Sequence, residues 1–108
     1  MRQAVLAAGL EIRRERSARL GDSDITQLFV WAGSVLIEIV APAGGDDPGA
    51  ASQVWGLAAT ASDLDATAQW FGDRIGRPRA AVQAGRRIAT IRHRDLGIGL
   101  QLAVMSAR

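Results

Sequence analysis

One carboxylate stands inside an apolar run, Glu38 in Val35-Leu36-Ile37-Glu38-Ile39-Val40. In an extended chain successive side chains point to opposite faces. Leu36, Glu38 and Val40 therefore share one face, and Val35, Ile37 and Ile39 the other. Gln101 has the same setting: Gly99, Gln101, Ala103 and Met105 alternate with Ile98, Leu100, Leu102 and Val104. A carboxylate on such a face can anchor a ligand or hold a metal, or it can pair with a nearby arginine. An amide can both donate to and accept from a ligand, or do the same for Glu38 or the backbone. Trp31 is the aromatic best placed for stacking. His93 is the single histidine, and only Asp95 is placed to orient it, so it reads as an exposed turn residue. Cysteine is absent. A thiolate site, a disulfide frame and any site needing two imidazoles from one chain are thereby excluded.

The elements that must position these residues follow from periodicity and breakers. Met1–Ala8 reads as a short helix closed by Gly9. Leu10–Ala18, Ile25–Trp31 and Val35–Ala41 read as strands, with turns at 21–24 and 32–34. The stretch 42–51, rich in Pro, Gly and Asp, reads as a linker. Gln53–Ala61 is expected to be a strand. A helix follows over 63–75, with Ser62 as its N-cap, Asp65 as the acidic partner of a capping box, and Gly76 and Pro78 as its stop. The macrodipole also favours Asp63 and Asp65 there. Arg79–Gln83, Arg87–His93 and Ile98–Met105 complete the strands. Gly97-Ile98-Gly99 and Gly44-Gly45 lack the strand-to-helix setting that a phosphate loop needs. The second half thus runs strand–helix–strand–strand–strand. The first half matches it if its opening strand is missing, which makes a weak internal repeat by order of elements.

With the elements in this order, Trp55-Gly-Leu-Ala-Ala-Thr-Ala-Ser-Asp-Leu-Asp-Ala66 resembles the strand-into-helix segment of the vicinal oxygen chelate superfamily. That superfamily includes glyoxalase I, bleomycin-resistance proteins and extradiol dioxygenases. The stretch 77–92 is similar to the strand pair of its bacterial glyoxalase-like members, and 35–40 to the strand that carries a metal-binding glutamate. The resemblance implies an α+β, glyoxalase-like fold. Two βαβββ-type modules are expected, the first (1–41) lacking its opening strand and the second spanning 53–108. Residues 42–52 would link them, and the helices would lie outside a curved, mostly antiparallel sheet. It also implies a cup holding a divalent metal on the first and last strands of each module. Carried over, Glu38 matches one ligand. The usual histidine of the second module falls at Gly56, and its glutamate at Gln101. One carboxylate and one amide fall short of a hard metal's donor number unless waters or another chain complete the shell.

The resemblance implies a small organic ligand in the cup, lined by Glu38, Gln101, Leu36, Trp31 and Met105, with Glu38 the candidate metal ligand. A metal-dependent lyase, isomerase or dioxygenase completed by a missing strand or a second subunit stays open. So does a non-catalytic dimerisation module. The unpaired edge left by the missing strand points to a homodimer or to a longer sequence. All thirteen basic residues are arginine against eleven acids, net +2. With three Trp and two Phe, the aromatics needed to stack on nucleic acid are few. The arginines therefore read as solvated strand faces, not as a nucleic-acid surface. No apolar run approaches the ~20 residues of a membrane span. No basic-then-apolar leader opens the chain, and a cytoplasmic protein is expected.

Overall fold

The computed structural model describes residues 1–44, 49 and 51–108. Half of the proline- and glycine-rich stretch 42–51, including Gly45, lies outside the described residues. The chain divides into two compact units, Met1–Ala51 and Ser52–Arg108.

In the first unit, helix α1 (Arg2–Ala7) leads into strands β1 (Glu11–Leu20), β2 (Ser23–Ala32) and β3 (Val35–Pro42). The strands form an antiparallel sheet in the order β1-β2-β3. The helix ends in a Schellman motif. Gly9 takes φ +73°, its N–H donates to the Leu6 carbonyl at 3.0 Å, and the Leu10 N–H donates to Val5 at 3.2 Å. Only glycine adopts that backbone without strain. The motif brings Leu10 back against the core, where Val5, Leu28 and Val30 are buried with Met1, Ile12 and Ile39 packed on them. Leu28 and Val30 carry most of this small core. At roughly 25 cal/mol per Å², each buried aliphatic side chain stabilises by about 1.5–3 kcal/mol.

Alternation was expected to run unbroken along β1, but the register shifts between Ile12 and Arg14. Ile12 lies opposite Val30 on the core side, whereas Arg14 lies opposite Phe29 and Arg16 opposite Gln27. The extra residue of this bulge carries both arginines to the face away from α1. Val35 and Ile37 share the parity of Ile39 but, unlike it, are not packed on the core: they remain 60% and 38% exposed. Helix α1 is too short to reach β3's full length.

The second unit runs β4 (Gly56–Ala61), α2 (Leu64–Phe71), a 3-10 turn (Gly72–Arg74), β5 (Arg79–Ala80), β6 (Arg87–Ile91), a second 3-10 turn (His93–Leu96) and β7 (Gln101–Ser106). Its sheet order is β4-β7-β6-β5, with β4 parallel to β7. The meander β5-β6-β7 repeats the order of β1-β2-β3. The edge of β7 that β4 covers corresponds to an edge of β3 that carries no strand among the described residues. Leu64, Ile75, Ala89, Ile91 and Val104 form the core, with Phe71 and Leu102 against it.

Several sequence expectations are corrected here. The N-cap is Asp63, not Ser62: the Asp63 carboxylate accepts from the Ala66 N–H at 2.9 Å. The helix stops at Gly72 (φ +60°), ahead of Gly76 and Pro78. The strands expected over 53–61, 79–83, 87–93 and 98–105 are each shorter or shifted. Asp65 does not complete a capping box. It receives a bidentate pair from Arg87, at 3.0 and 2.7 Å, which ties the helix to β6.

The hydrogen bonds from Arg87 and its charge hold the Asp65 carboxyl below its ordinary value of 3.8, against a smaller desolvation effect. A carboxylate with a lowered folded-state pKa stabilises fully above its unfolded pKa and loses that contribution as pH falls through the folded value. Asp65→Asn is therefore expected to lower the melting temperature slightly near neutral pH. The gap to the wild type should close as pH drops below about 3.8. Thermal melts across that range check it.

Candidate functional site

Each sheet packs one face under its helix and leaves the other more exposed, although Ile25 on β2 is buried on that second face. On the open face of the first sheet, register sets three rows side by side. These are Arg14 and Arg16 on β1, Gln27, Phe29 and Trp31 on β2, and Leu36, Glu38 and Val40 on β3. Trp31 lies directly opposite Leu36, and Phe29 opposite Glu38. Three residues singled out from the sequence thus share one patch: Trp31 (41% exposed), Leu36 (36% exposed) and Glu38.

Sequence reasoning missed Gln27. Its Nε2 donates to Glu38 Oε1, across a strand diagonal that long side chains bridge. The carboxylate oxygen accepts, so the amide turns its NH₂ toward Glu38. Its own oxygen then points elsewhere. That oxygen is buried and has no hydrogen-bond partner. A buried unpaired acceptor costs about 1–3 kcal/mol. The alternation of Ile25, Gln27, Phe29 and Trp31 was a signal in the sequence that could have found it.

On the second sheet, Gln101 and Met105 share the open face with Ala103, opposite the core residues Leu102 and Val104. Gln101 pairs with Gly56 in the parallel β4–β7 ladder, so the two positions carried over as second-module ligands are neighbours. Gly56 supplies no side chain. A Cβ there would stand 2.9 Å from the Gln101 carbonyl oxygen and 3.1 Å from its Cβ. The donor set therefore does not fit a resident divalent metal. Glu38 offers one carboxylate, and the histidine position is closed to any side chain. No group of three or more His, Cys, Asp or Glu that could hold a metal ion occurs among the described residues.

His93 braces a turn. Its Nδ1 donates to the Ile98 carbonyl at 2.7 Å, across a Schellman closure in which Gly97 takes φ +72°. Arg86 is likewise structural. Its guanidinium donates to the Ser106 carbonyl, the Gln83 side chain and the Thr60 hydroxyl, joining β7, β4 and the loop between β5 and β6.

No family profile matches the chain, and no curated protein matches it. Solved structures do. The crystal structure of methylmalonyl-CoA epimerase from Mycobacterium tuberculosis superposes with a TM-score of 0.66 at 20% identity, covering 99% of this chain and 77% of that one. A glyoxalase family protein from Enterococcus faecalis is similar at a TM-score of 0.42 and 18% identity, over 94% and 82% of the two chains.

The close approach at Gly56 makes a direct prediction. Gly56→Ala should separate β4 from β7 and destabilise the protein by about 1–3 kcal/mol, the usual cost of overpacking; urea unfolding measures it. Two modules in this strand order, with the helices on one face of each sheet, give the chain a glyoxalase-like α+β fold.

Proposed function

We propose that this chain binds a small organic molecule on the open face of its first sheet, as a glyoxalase-like protein without a resident metal. The observation that carries the reading is the Gln27–Glu38 pair. It sets a carboxylate beside a buried, unpartnered amide oxygen among Phe29, Trp31 and Leu36. Ligand sites have this composition, an apolar and aromatic lining with a few placed polar groups. Gln101 and Met105 are the corresponding positions on the second sheet.

The structural similarity to a methylmalonyl-CoA epimerase makes methylmalonyl-CoA the first probe, followed by a mixture of small fragments. Two-dimensional NMR is the readout, with the Trp31 indole and the Gln27 side-chain amide as reporters. Binding should shift these two signals first. Glu38→Gln, which keeps the size and removes the charge, should weaken it about tenfold, the scale of a charge-assisted hydrogen bond. Shifts confined to other surfaces, or an affinity indifferent to Glu38→Gln, would remove this face from the function.

A second reading is favoured by the edge of β3. Val35, Leu36 and Ile37 are 60%, 36% and 38% exposed, with no Lys, Arg or Pro before Pro42 to discourage pairing. We propose that a second copy covers this edge, making the protein a homodimer. Light scattering should give a dimer mass for the wild type. Ile37→Lys should shift it to the monomer mass; a wild type that is already monomeric at high concentration sinks the reading.

A further inference from the structure

On the helix-bearing side of the second unit lies a hollow of about 470 Å³ lined by Ala68, Gly72, Ile75, Gly76, Arg77, Pro78 and Arg92. Its two charged residues are both arginines, and no carboxylate lines it. Arg77 and Arg92 make no side-chain hydrogen bond or ion pair among the described residues, unlike Arg86 and Arg87. Asp73 and Asp95 sit in the adjoining 3-10 turns without pairing to either. The walls are fixed by backbone. The Gly76 N–H donates to the Thr90 carbonyl and the Arg92 N–H to the Arg74 carbonyl, each at 2.8 Å. These bonds hold the strand end and the segment after the helix together, so Arg77 and Arg92 stand on a braced backbone.

The surroundings reinforce the sign. Residues 52–108 carry eight arginines and four aspartates, a formal +4, whereas residues 1–51 carry five arginines and seven acids, a formal −2. The C-terminal end of α2 opposes an anion here, since its last carbonyls carry partial negative charge. The Gly72 N–H already caps the Ala68 carbonyl. Two full guanidinium charges outweigh the residual half charge of a two-turn helix.

We propose that this hollow binds a small organic phosphate. A phosphomonoester carries close to two negative charges at neutral pH, matching two guanidinium groups that bind phosphate oxygens bidentately. A carboxylate would leave one cation uncompensated. The floor of Ala68, Ile75 and Pro78 suits an apolar substituent on the ester.

The test uses the full chain in phosphate-free buffer at low salt, titrated with phenyl phosphate, inorganic phosphate and benzoate. Amide NMR and calorimetry are read together. Phenyl phosphate should bind most tightly and shift the Gly72 and Gly76 amides. Arg77→Gln and Arg92→Gln should each weaken it roughly tenfold. Arg79→Gln, which lies outside the hollow, should leave it unchanged. Raising the salt should weaken binding as the charges are screened. The proposal is overturned if phenyl phosphate does not bind, if both variants bind it like the wild type, or if benzoate binds equally well. Tighter binding of inorganic phosphate than of the ester would overturn the organic part. Arg77 and Arg92 belong to the second unit and Glu38 to the first, so the arginine variants and Glu38→Gln test the two proposals separately.

Discussion

One-sided burial is the constraint on which the other features of this chain depend. Each unit has one short helix to cover a sheet, and a helix of six or eight residues can seal only one face. Val5, Leu28 and Val30 close one side of the first sheet; Leu64, Ala89 and Val104 close one side of the second. The opposite faces must then carry residues that tolerate water or a ligand. Glu38, Gln27 and Gln101 stand there, and among the described residues no charged or polar residue is buried in either core. The polar residues on the open faces and the apolar residues beneath the helices are two consequences of the same period-two alternation.

That alternation is also why much of the fold was legible in the sequence. The strand containing Glu38 was plain because apolar residues surround it and turn residues bound it. Glu38, Leu36 and Trp31 could be assigned to one face from parity and the hairpin alone. What could not be read were the features set by pairing. The bulge between Ile12 and Arg14 leaves no compositional mark, yet it decides that Arg14 and Arg16 join the open face. Helix α2 ends at Gly72 because that glycine adopts a positive φ; Gly76 looked equivalent in sequence. Asp63 displaced Ser62 as the cap, two residues the capping preferences barely separate. Alternation along β2 marked Gln27 as sharing a face with Trp31, but its pairing with Glu38 became visible only once register set the two diagonally across from each other.

The fold and the metal chemistry expected of it are separable in physical terms. In the parallel β4–β7 ladder the strands meet at Gly56 and Gln101, and the Gln101 carbonyl oxygen occupies the space a side chain on residue 56 would need. A ligand there could not be recovered by one substitution, because the same atoms that would be displaced hold the sheet together. The backbone architecture persists because it needs only apolar residues at alternate positions and glycines where φ is positive. A metal site needs particular donors at particular places, and here packing has taken one of those places. The polar work left to the first sheet then falls on Glu38 and the amide it orients. On the proposed reading these two groups recognise a ligand by hydrogen bonding and charge, and selectivity then comes from which donors a ligand can bring to them.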